Sequence, residues 1–285
     1  MTKRFLFIAG VEGSGTTLLS RILASPPQCA SLGGLHVKTP PGADAERMVE
    51  AFQDANKRAS DRGAALDEYQ AASQNWCEAM ADLNASPTFA AISTLVFKRS
   101  FPFGSPRSKL DPGPRWTPDL WDCLALTPDS RVVAIYRNPC AATYSCLRRG
   151  FDSDLRRLAV ICAEQLTWLS AQIAAIGPER AIVIGYEDLC DSPAQTLAGL
   201  AQFCSLPLHC LSAAAAQERV SAAGDGRYRL ELPAGDADWL DGYFNLRRRQ
   251  WRNLANRHPM GATGAWQQAN PALKAKDLPT NHLMP

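Results

Sequence analysis

Short apolar runs alternate along the chain with longer segments in which apolar residues recur every three or four positions. The apolar runs predict buried strands at residues 5–9, 29–32, 92–97, 132–136 and 181–185. The three-to-four spacing predicts helices at residues 18–23, 140–149, 155–176 and 194–204. Because strands separated by helices are joined by parallel crossovers, we predict an α/β fold, a three-layer helix-sheet-helix sandwich with a central parallel sheet.

Three segments depart from this pattern. Residues 44–85 are rich in Ala, Glu, Arg and Gln and predict a helical insertion, broken at SDRG. Residues 101–118 are proline-rich, and irregular segments of this length are often functional. A helical apolar stripe continues to Leu254, and the residues after it are rich in Pro, Gly and Asn. We predict a single α/β domain over residues 1–258 and a wrapping or disordered tail over residues 259–285.

Composition and charge narrow the choice of partners. The 285 residues are 46% apolar with a formal net charge of +2, which favours a large core and gives no reason to expect nucleic acid. The 9 cysteines show no CxxC pair or other metal-ligand spacing, so we expect reduced thiols and no metal. No uninterrupted apolar stretch approaches the ~20 residues that span a bilayer. We therefore expect a cytoplasmic protein without a membrane span.

The segment GVEGSGTT, residues 10–17, lies between the first predicted strand and the first predicted helix. Its glycines let backbone N–H groups turn inward, and Thr16 and Thr17 place hydroxyls at the positive end of the helix. This pattern is typical of a phosphate-binding loop, although a glycine turn without a ligand would have it too. A nucleotide triphosphatase also has a lysine here, which helps a magnesium ion offset the phosphate charge. The absence of this lysine favours a ligand with a single phosphate joined to a group of low charge.

The segment RVVAIYRNPCAATYSCLRRG, residues 131–150, is a second candidate for binding an anion. Its apolar strand ends at Arg137, Asn138 and Pro139 begin a helix, and Ser145 follows two turns later. At the carboxyl edge of a parallel sheet, a guanidinium and a hydroxyl can together bind a phosphate. An exposed arginine and a serine on a helix surface would give the same pattern.

Together the two segments resemble sulfotransferases that use 3′-phosphoadenosine 5′-phosphosulfate (PAPS). In that family a first loop, typically GxxRSGTT, binds the 5′-phosphosulfate, and a strand ending in R(D/N)P, with a serine eight residues after the arginine, binds the 3′-phosphate. GVEGSGTTLL and RNPCAATYS match these motifs, and IVIGYEDLCDSPAQTLAGLAQFC matches a third family segment. The resemblance implies a fold of P-loop type and a set of donor-binding residues. They are Gly13, Ser14, Gly15, Thr16, Thr17, Arg137 and Ser145.

One position departs from the family pattern. The residue before Ser-Gly-Thr is usually Arg or Lys, whereas here it is Gly13, next to Glu12. Lys98 is our candidate for the missing cation, because VFKRSFPF resembles the family's KTHLPF segment, whose lysine contacts the sulfate. Alternatively, Lys98 is a solvated charge at a strand end. The catalytic histidine of that family segment corresponds to Ser100, so a base has to come from elsewhere.

His36 is our first candidate for the catalytic base. It follows the second predicted strand, where some carbohydrate sulfotransferases carry a catalytic Glu-x-His pair, and the glutamate of that pair corresponds to Gly34. A neutral imidazole can accept a proton near pH 7. Glu12 is the second candidate.

The resemblance predicts a PAPS-dependent sulfotransferase that moves a sulfuryl group to a hydroxyl or amine of a carbohydrate or small-molecule acceptor. The helical insertion and the proline-rich segment are expected to shape the acceptor pocket. One alternative is a phosphotransferase or nucleotide triphosphatase in which Glu187 or Asp188 binds magnesium. Another is a catalytically inactive nucleotide-binding module, which Gly13 and Ser100 would suit.

Overall fold

The computed structural model describes residues 3–32, 45–50, 78–83, 85–99, 120, 124, 127, 129–218 and 226–257, with the side chains of all but residues 99 and 246–257. Most of the helical insertion, the proline-rich segment and the tail therefore lie outside the described residues. The described parts of the insertion, residues 45–50 and 78–83, are helical. The domain limits and the roles of these segments stay predictions.

A parallel sheet of five strands forms the centre of the described structure. The strands are β1 (Arg4–Ala9), β2 (Cys29–Ser31), β3 (Thr94–Arg99), β4 (Arg131–Tyr136) and β5 (Ala181–Gly185). Their order is β2-β3-β1-β4-β5, so β1 lies in the middle, between β3 and β4. All pairs are parallel, and therefore the carboxyl ends of β1, β3, β4 and β5 meet at one edge. The predicted fold class is confirmed.

Helices follow the strands, as the sequence pattern indicated. The helices with described bounds are α1 (Thr16–Leu23), α2 (Pro139–Arg148), α3 (Leu155–Ile176), α4 (Tyr186–Asp191), α5 (Pro193–Cys204), α6 (Leu208–Gln217), α7 (Arg227–Glu231) and α8 (Ala234–Arg257). Local signals set where two of them begin. Asn138 Oδ1 accepts from Cys140 N with Pro139 in the first turn of α2, and Asp154 Oδ1 accepts from Arg156 N at the start of α3.

Alternating side chains of the strands build a core on each face of the sheet. On one face Phe5 and Phe7 pack with Leu169 and Ile173 of α3. On the other, Leu6 and Ile8 join residues of α1, α5 and α6 in a second buried cluster. Because the strands are covered on both faces, they read as nearly continuous apolar runs.

A third apolar cluster joins α2 and α3 to the C-terminal helices. It includes Val11 of the glycine loop, Tyr144 of α2, and Leu240 and Phe244 of α8. The glycine loop after β1 therefore packs against α2 through Val11. This packing positions the two predicted phosphate-binding segments relative to each other.

Helix α3 is the one described helix that is long and apolar enough to span a bilayer. It has 22 residues and a mean hydropathy of 1.3 in its most apolar window. Its buried side chains contribute to the core clusters on the sheet and beside α2. The packing accounts for its apolar character, since a core helix of a globular domain has the same length and composition.

Candidate active site

The loop between β1 and α1 is closed by its own hydrogen bonds. Ser14 N donates to Val11 O at 3.1 Å, and Ser14 Oγ donates to the same oxygen at 2.6 Å. Ser14 is fully buried. The structure therefore gives the Ser14 hydroxyl a structural contact inside the loop, while its predicted contact with the donor stays a prediction.

Two glycines give the loop its shape and let neighbouring helices approach it. Gly13 and Gly15 have φ values of +84° and +98°, in the left-handed region. A Cβ on Gly13 would lie 2.5 Å from Ala142 O in the backbone of α2, and one on Gly15 would lie 2.7 Å from Cδ2 of Tyr186. Any side chain at position 13 would push α2 away from the loop. The close approach of α2 leaves room only for glycine at position 13, where the sulfotransferases that the sequence resembles usually have a cation.

The loop leads into the positive end of α1. Thr16 is buried and Thr17 is half-buried in the first turn of this helix. Gly15 precedes them, no side chain caps the turn, and the turn contains no acidic residue. Backbone N–H groups at a helix start favour an anion, so this end of α1 has the electrostatics that a phosphate or sulfate needs.

Arg137 joins the two predicted phosphate-binding segments. It follows β4 at the carboxyl edge of the sheet, and its Nη1 donates to Gly13 O at 3.0 Å. Its guanidinium carbon lies 4.3 Å from the centroid of the Tyr186 ring. Both contacts limit the orientation of the guanidinium. The structure thus brings Arg137 next to the glycine loop, as expected if both contact one ligand.

Ser145 lies two turns into α2 and contacts a residue that the sequence reasoning missed. Arg149 Nη2 donates to Ser145 Oγ at 3.0 Å, and Arg149 Nε donates to Ser145 O at 3.1 Å. A signal was present in the sequence, because residues four apart in a helix lie on one face. The motif match ended at Ser145 and did not extend to the Arg148-Arg149 pair.

Lys98 is half-buried near the end of β3. It pairs in register with Ile8, one residue before the end of β1, so it lies beside the start of the glycine loop. Burial lowers the pKa of Lys98; Glu12 opposes this shift and Arg149 adds to it. The ammonium group is therefore a partly desolvated cation within electrostatic range of the loop and of α2.

Glu12 and Cys146 lie where the loop meets α2. Burial raises the pKa of the Cys146 thiol to about 12, the charge of Glu12 raises it further, and Arg149 opposes this effect. Cys146 is thus a protonated thiol at neutral pH. Glu12 also opposes the lowering of the Lys98 pKa by burial, so its charge is within electrostatic range of both side chains.

Glu187, a candidate magnesium ligand in the phosphotransferase alternative, has a structural contact. It lies in the first turn of the short helix α4 rather than in a loop, and its Oε1 accepts from Asn138 N at 2.6 Å. This bond holds the start of α2 next to the end of β5. In the part of the chain that the structure describes, no three His, Cys, Asp or Glu side chains are grouped as metal ligands.

Of the two residues predicted as the catalytic base, Glu12 lies among the described residues and His36 does not. His36 and Ser100 lie outside the described residues, so the assignment of His36 stays a prediction. Among the other histidines, His209 is described; it is exposed at the start of α6, and its Nε2 lies 3.3 Å from Cys210 Sγ.

A parallel sheet with a glycine loop between β1 and α1 defines an α/β protein of P-loop type. A family model described as "Sulfotransferase family" matches residues 6–209. The chain belongs to the sulfotransferase family, and the predicted enzyme class is confirmed. A comparison with curated protein sequences found no match.

Solved sulfotransferases have the same fold. The chain is 14% identical to a sulfotransferase from Alicyclobacillus acidocaldarius, with a TM-score of 0.54, and the match covers 94% of this chain and 100% of that one. It is 19% identical to the sulfotransferase domain of the Synechococcus PCC 7002 olefin synthase, with a TM-score of 0.52 and coverage of 86% and 96%. A mouse sulfotransferase complexed with PAP is 10% identical, with a TM-score of 0.51 and coverage of 90% and 87%.

Proposed function

We propose that this enzyme transfers a sulfuryl group from PAPS to a hydroxyl, or an amine, of a carbohydrate or small-molecule acceptor. The observation that carries the proposal is the hydrogen bond from Arg137 to Gly13 O. It joins the two segments that would bind the two ends of the donor. We further propose a cytoplasmic enzyme that acts without nucleic acid.

The donor-binding residues have suitable chemistry for two separate anions. The start of α1, with Thr16 and Thr17, would bind the 5′-phosphosulfate through backbone N–H groups and hydroxyls. Arg137 and Ser145 would bind the 3′-phosphate by charge-assisted hydrogen bonds. The mouse relative is complexed with PAP, which is adenosine 3′,5′-bisphosphate. PAP is the product that remains when PAPS has given up its sulfuryl group. When bound, PAPS supplies an activated sulfuryl group whose leaving group is a phosphate oxygen.

Lys98 would stabilise the charge that develops on that leaving oxygen. A partly desolvated ammonium group interacts more strongly with a nearby anion than a fully solvated one does. Its position beside the start of the loop supports this role. A sulfuryl group has less charge than a γ-phosphate, so backbone donors and Lys98 would suffice without a metal ion.

A base must accept the proton of the acceptor, whose oxygen or nitrogen would attack sulfur in line with the departing oxygen. We assign His36 to this role, and Glu12 is the alternative. His36→Ala should leave the affinity for adenosine 3′,5′-bisphosphate unchanged and lower turnover by about 10²–10⁴-fold. If turnover persists unchanged, Glu12→Gln is the next variant to test.

The decisive experiment is turnover of PAPS with a panel of hydroxyl and amine acceptors, with products detected by mass. We expect at least one acceptor to gain a sulfuryl group, and Arg137→Ala to abolish most of that gain. Transfer of phosphate from ATP with magnesium, and none of sulfate from PAPS, would instead identify a phosphotransferase. Binding of PAPS without transfer to any acceptor class would identify an inactive nucleotide-binding module.

A further inference from the structure

The side chain of Arg149 is held in one orientation although the residue is exposed. Its Nε donates to Ser145 O at 3.1 Å and its Nη2 donates to Ser145 Oγ at 3.0 Å. The ring of Phe151 lies against it, with 5.0 Å between the guanidinium carbon and the ring centroid. An exposed arginine normally loses entropy when it binds a ligand, and these contacts have already removed part of that cost.

Arg149 belongs to the face of α2 that packs against the glycine loop. Ala142 contacts the loop at Gly13, Cys146 lies one turn later within range of Glu12, and Arg149 follows at the end of the helix. Because side chains in a helix point toward its N-terminus, the guanidinium extends back along this face to Ser145. Burial is the main cause of the lowered pKa of Lys98, and the charge of Arg149 adds to it, in agreement with this placement of the guanidinium.

Arg149 makes one hydrogen bond more than is needed to satisfy a backbone carbonyl at the end of a helix. The bond from Nε to Ser145 O alone would satisfy a carbonyl in the last turn. The second bond places the guanidinium on the very hydroxyl that is proposed to bind the 3′-phosphate. A guanidinium has five N–H donors, and the two bonds to Ser145 use only two of them.

We propose that Arg149 is a second cationic ligand of the donor's 3′-phosphate, acting together with Ser145 and Arg137. This inference rests on the proposed function. A phosphate monoester carries close to two negative charges, and part of the Arg137 guanidinium is occupied by Gly13 O. Arg149 thus adds a second guanidinium next to the hydroxyl of Ser145, where the 3′-phosphate would bind.

Nucleotide binding to Arg149→Ala tests the inference. By titration calorimetry, adenosine 3′,5′-bisphosphate should bind roughly 10- to 100-fold more weakly than to the parent, since a charge-assisted contact is lost. Adenosine 5′-phosphate, which has no 3′-phosphate, should bind within about twofold of the parent. Arg149→Lys keeps the charge without the planar fork and should show an intermediate loss.

Arg148→Ala is the matched control. Arg148 is the neighbouring residue, it is also exposed, and its Nε is 3.9 Å from Glu231. The control removes the same charge from the same helix end but leaves the contacts to Ser145. Its affinity for both nucleotides should equal that of the parent.

The outcomes separate this inference from the proposed function. If the parent does not bind adenosine 3′,5′-bisphosphate, the proposed donor is wrong and the inference fails with it. If the parent binds it and Arg149→Ala binds it equally well, or loses both nucleotides equally, only the assignment of Arg149 is wrong. Ser145→Ala combined with Arg149→Ala should lose less than the sum of the single losses, because the two side chains act on one phosphate.

Discussion

Gly13 is a single residue at which packing against α2 limits the residue types that the loop can accommodate. Its φ of +84° suits glycine, and the α2 backbone occupies the position of a Cβ. Restoring the basic residue that the family usually has would therefore separate α2 from the loop. A positive charge at the loop would have to come from a neighbouring element, and Lys98 of β3 lies beside the start of the loop.

Gly13→Ala should destabilise the protein by more than backbone strain alone. Gly150→Ala is the control, because Gly150 has a similar φ of +70° but has nothing within 4 Å of the added Cβ. A left-handed residue with a side chain costs about 1–3 kcal/mol, and only Gly13→Ala adds a clash with backbone. Urea unfolding should show a loss at least about 1 kcal/mol larger for Gly13→Ala. Equal losses would show that α2 yields without cost.

Lys98→Met should stabilise the folded protein at neutral pH while it lowers turnover. Burial lowers the pKa of Lys98 from 10.5, so the parent bears the full cost of a desolvated charge below the folded-state pKa. That cost decreases as the pH rises through the folded-state pKa, and it is absent above the unfolded value. The difference in unfolding free energy between variant and parent should therefore shrink toward pH 10.5. A difference that does not change with pH would mean that burial of the charge is not its cause.

At the scale of elements, α2 is the helix on which the site depends. It carries Ser145, it contacts the loop through Ala142, and Arg149 directly follows its last residue. Two tyrosines connect it with the C-terminal helices. Tyr144 of α2 donates to Glu231 of α7, and Tyr228 of α7 donates to Asp241 Oδ1 of α8 at 2.8 Å.

Tyr228→Phe should destabilise the protein more than Tyr144→Phe. Burial and the bond to Asp241 raise the pKa of Tyr228 to about 12, while Arg229 opposes the shift, so the hydroxyl donates at neutral pH. The Asp241 side chain is 25% exposed, whereas Glu231 is 45% exposed and can turn to water. We expect a loss of about 1.5 kcal/mol for Tyr228→Phe and below about 1 kcal/mol for Tyr144→Phe in urea unfolding. The reverse order would mean that α7 is held mainly through Glu231.

At the scale of the whole molecule, the strand order assembles the site from distant segments. β1 lies between β3 and β4, so the loop after β1 has Lys98 on one side and Arg137 on the other. A ligand bound at this edge would contact elements from several parts of the domain. Its binding energy should therefore stabilise the domain as a unit.

Adenosine 3′,5′-bisphosphate should raise the melting temperature without any divalent metal. At a ligand concentration of 100 times Kd, the free energy of unfolding should increase by about 2.7 kcal/mol. EDTA should leave this increase unchanged, and ATP with magnesium should give a smaller one. Loss of the effect in EDTA would show that a metal takes part in binding.

The strands, the glycine loop and the resemblance to sulfotransferases could be predicted from the amino-acid sequence. Apolar runs placed β5 at residues 181–185 and β4 within one residue of its observed start, because strands buried on both faces must be continuously apolar. The expected strand at residues 92–97 instead spans Thr94–Arg99, since Lys98 and Arg99 pair with the end of β1. The local pattern of apolar residues does not show which strand a segment will pair with or how far the pairing extends.

How these parts contact one another could not be predicted from the sequence and follows from the folded arrangement. The contact of Gly13 with Ala142 O, the bond from Asn138 N to Glu187 and the approach of Arg137 to the loop join residues that are far apart in sequence. Each depends on which strands are neighbours in the sheet, and pairing between strands is set by the packing of the entire core. The bond from Arg149 to Ser145 is local to the end of α2, whereas the position of α2 beside the loop depends on the close approach of Ala142 to Gly13.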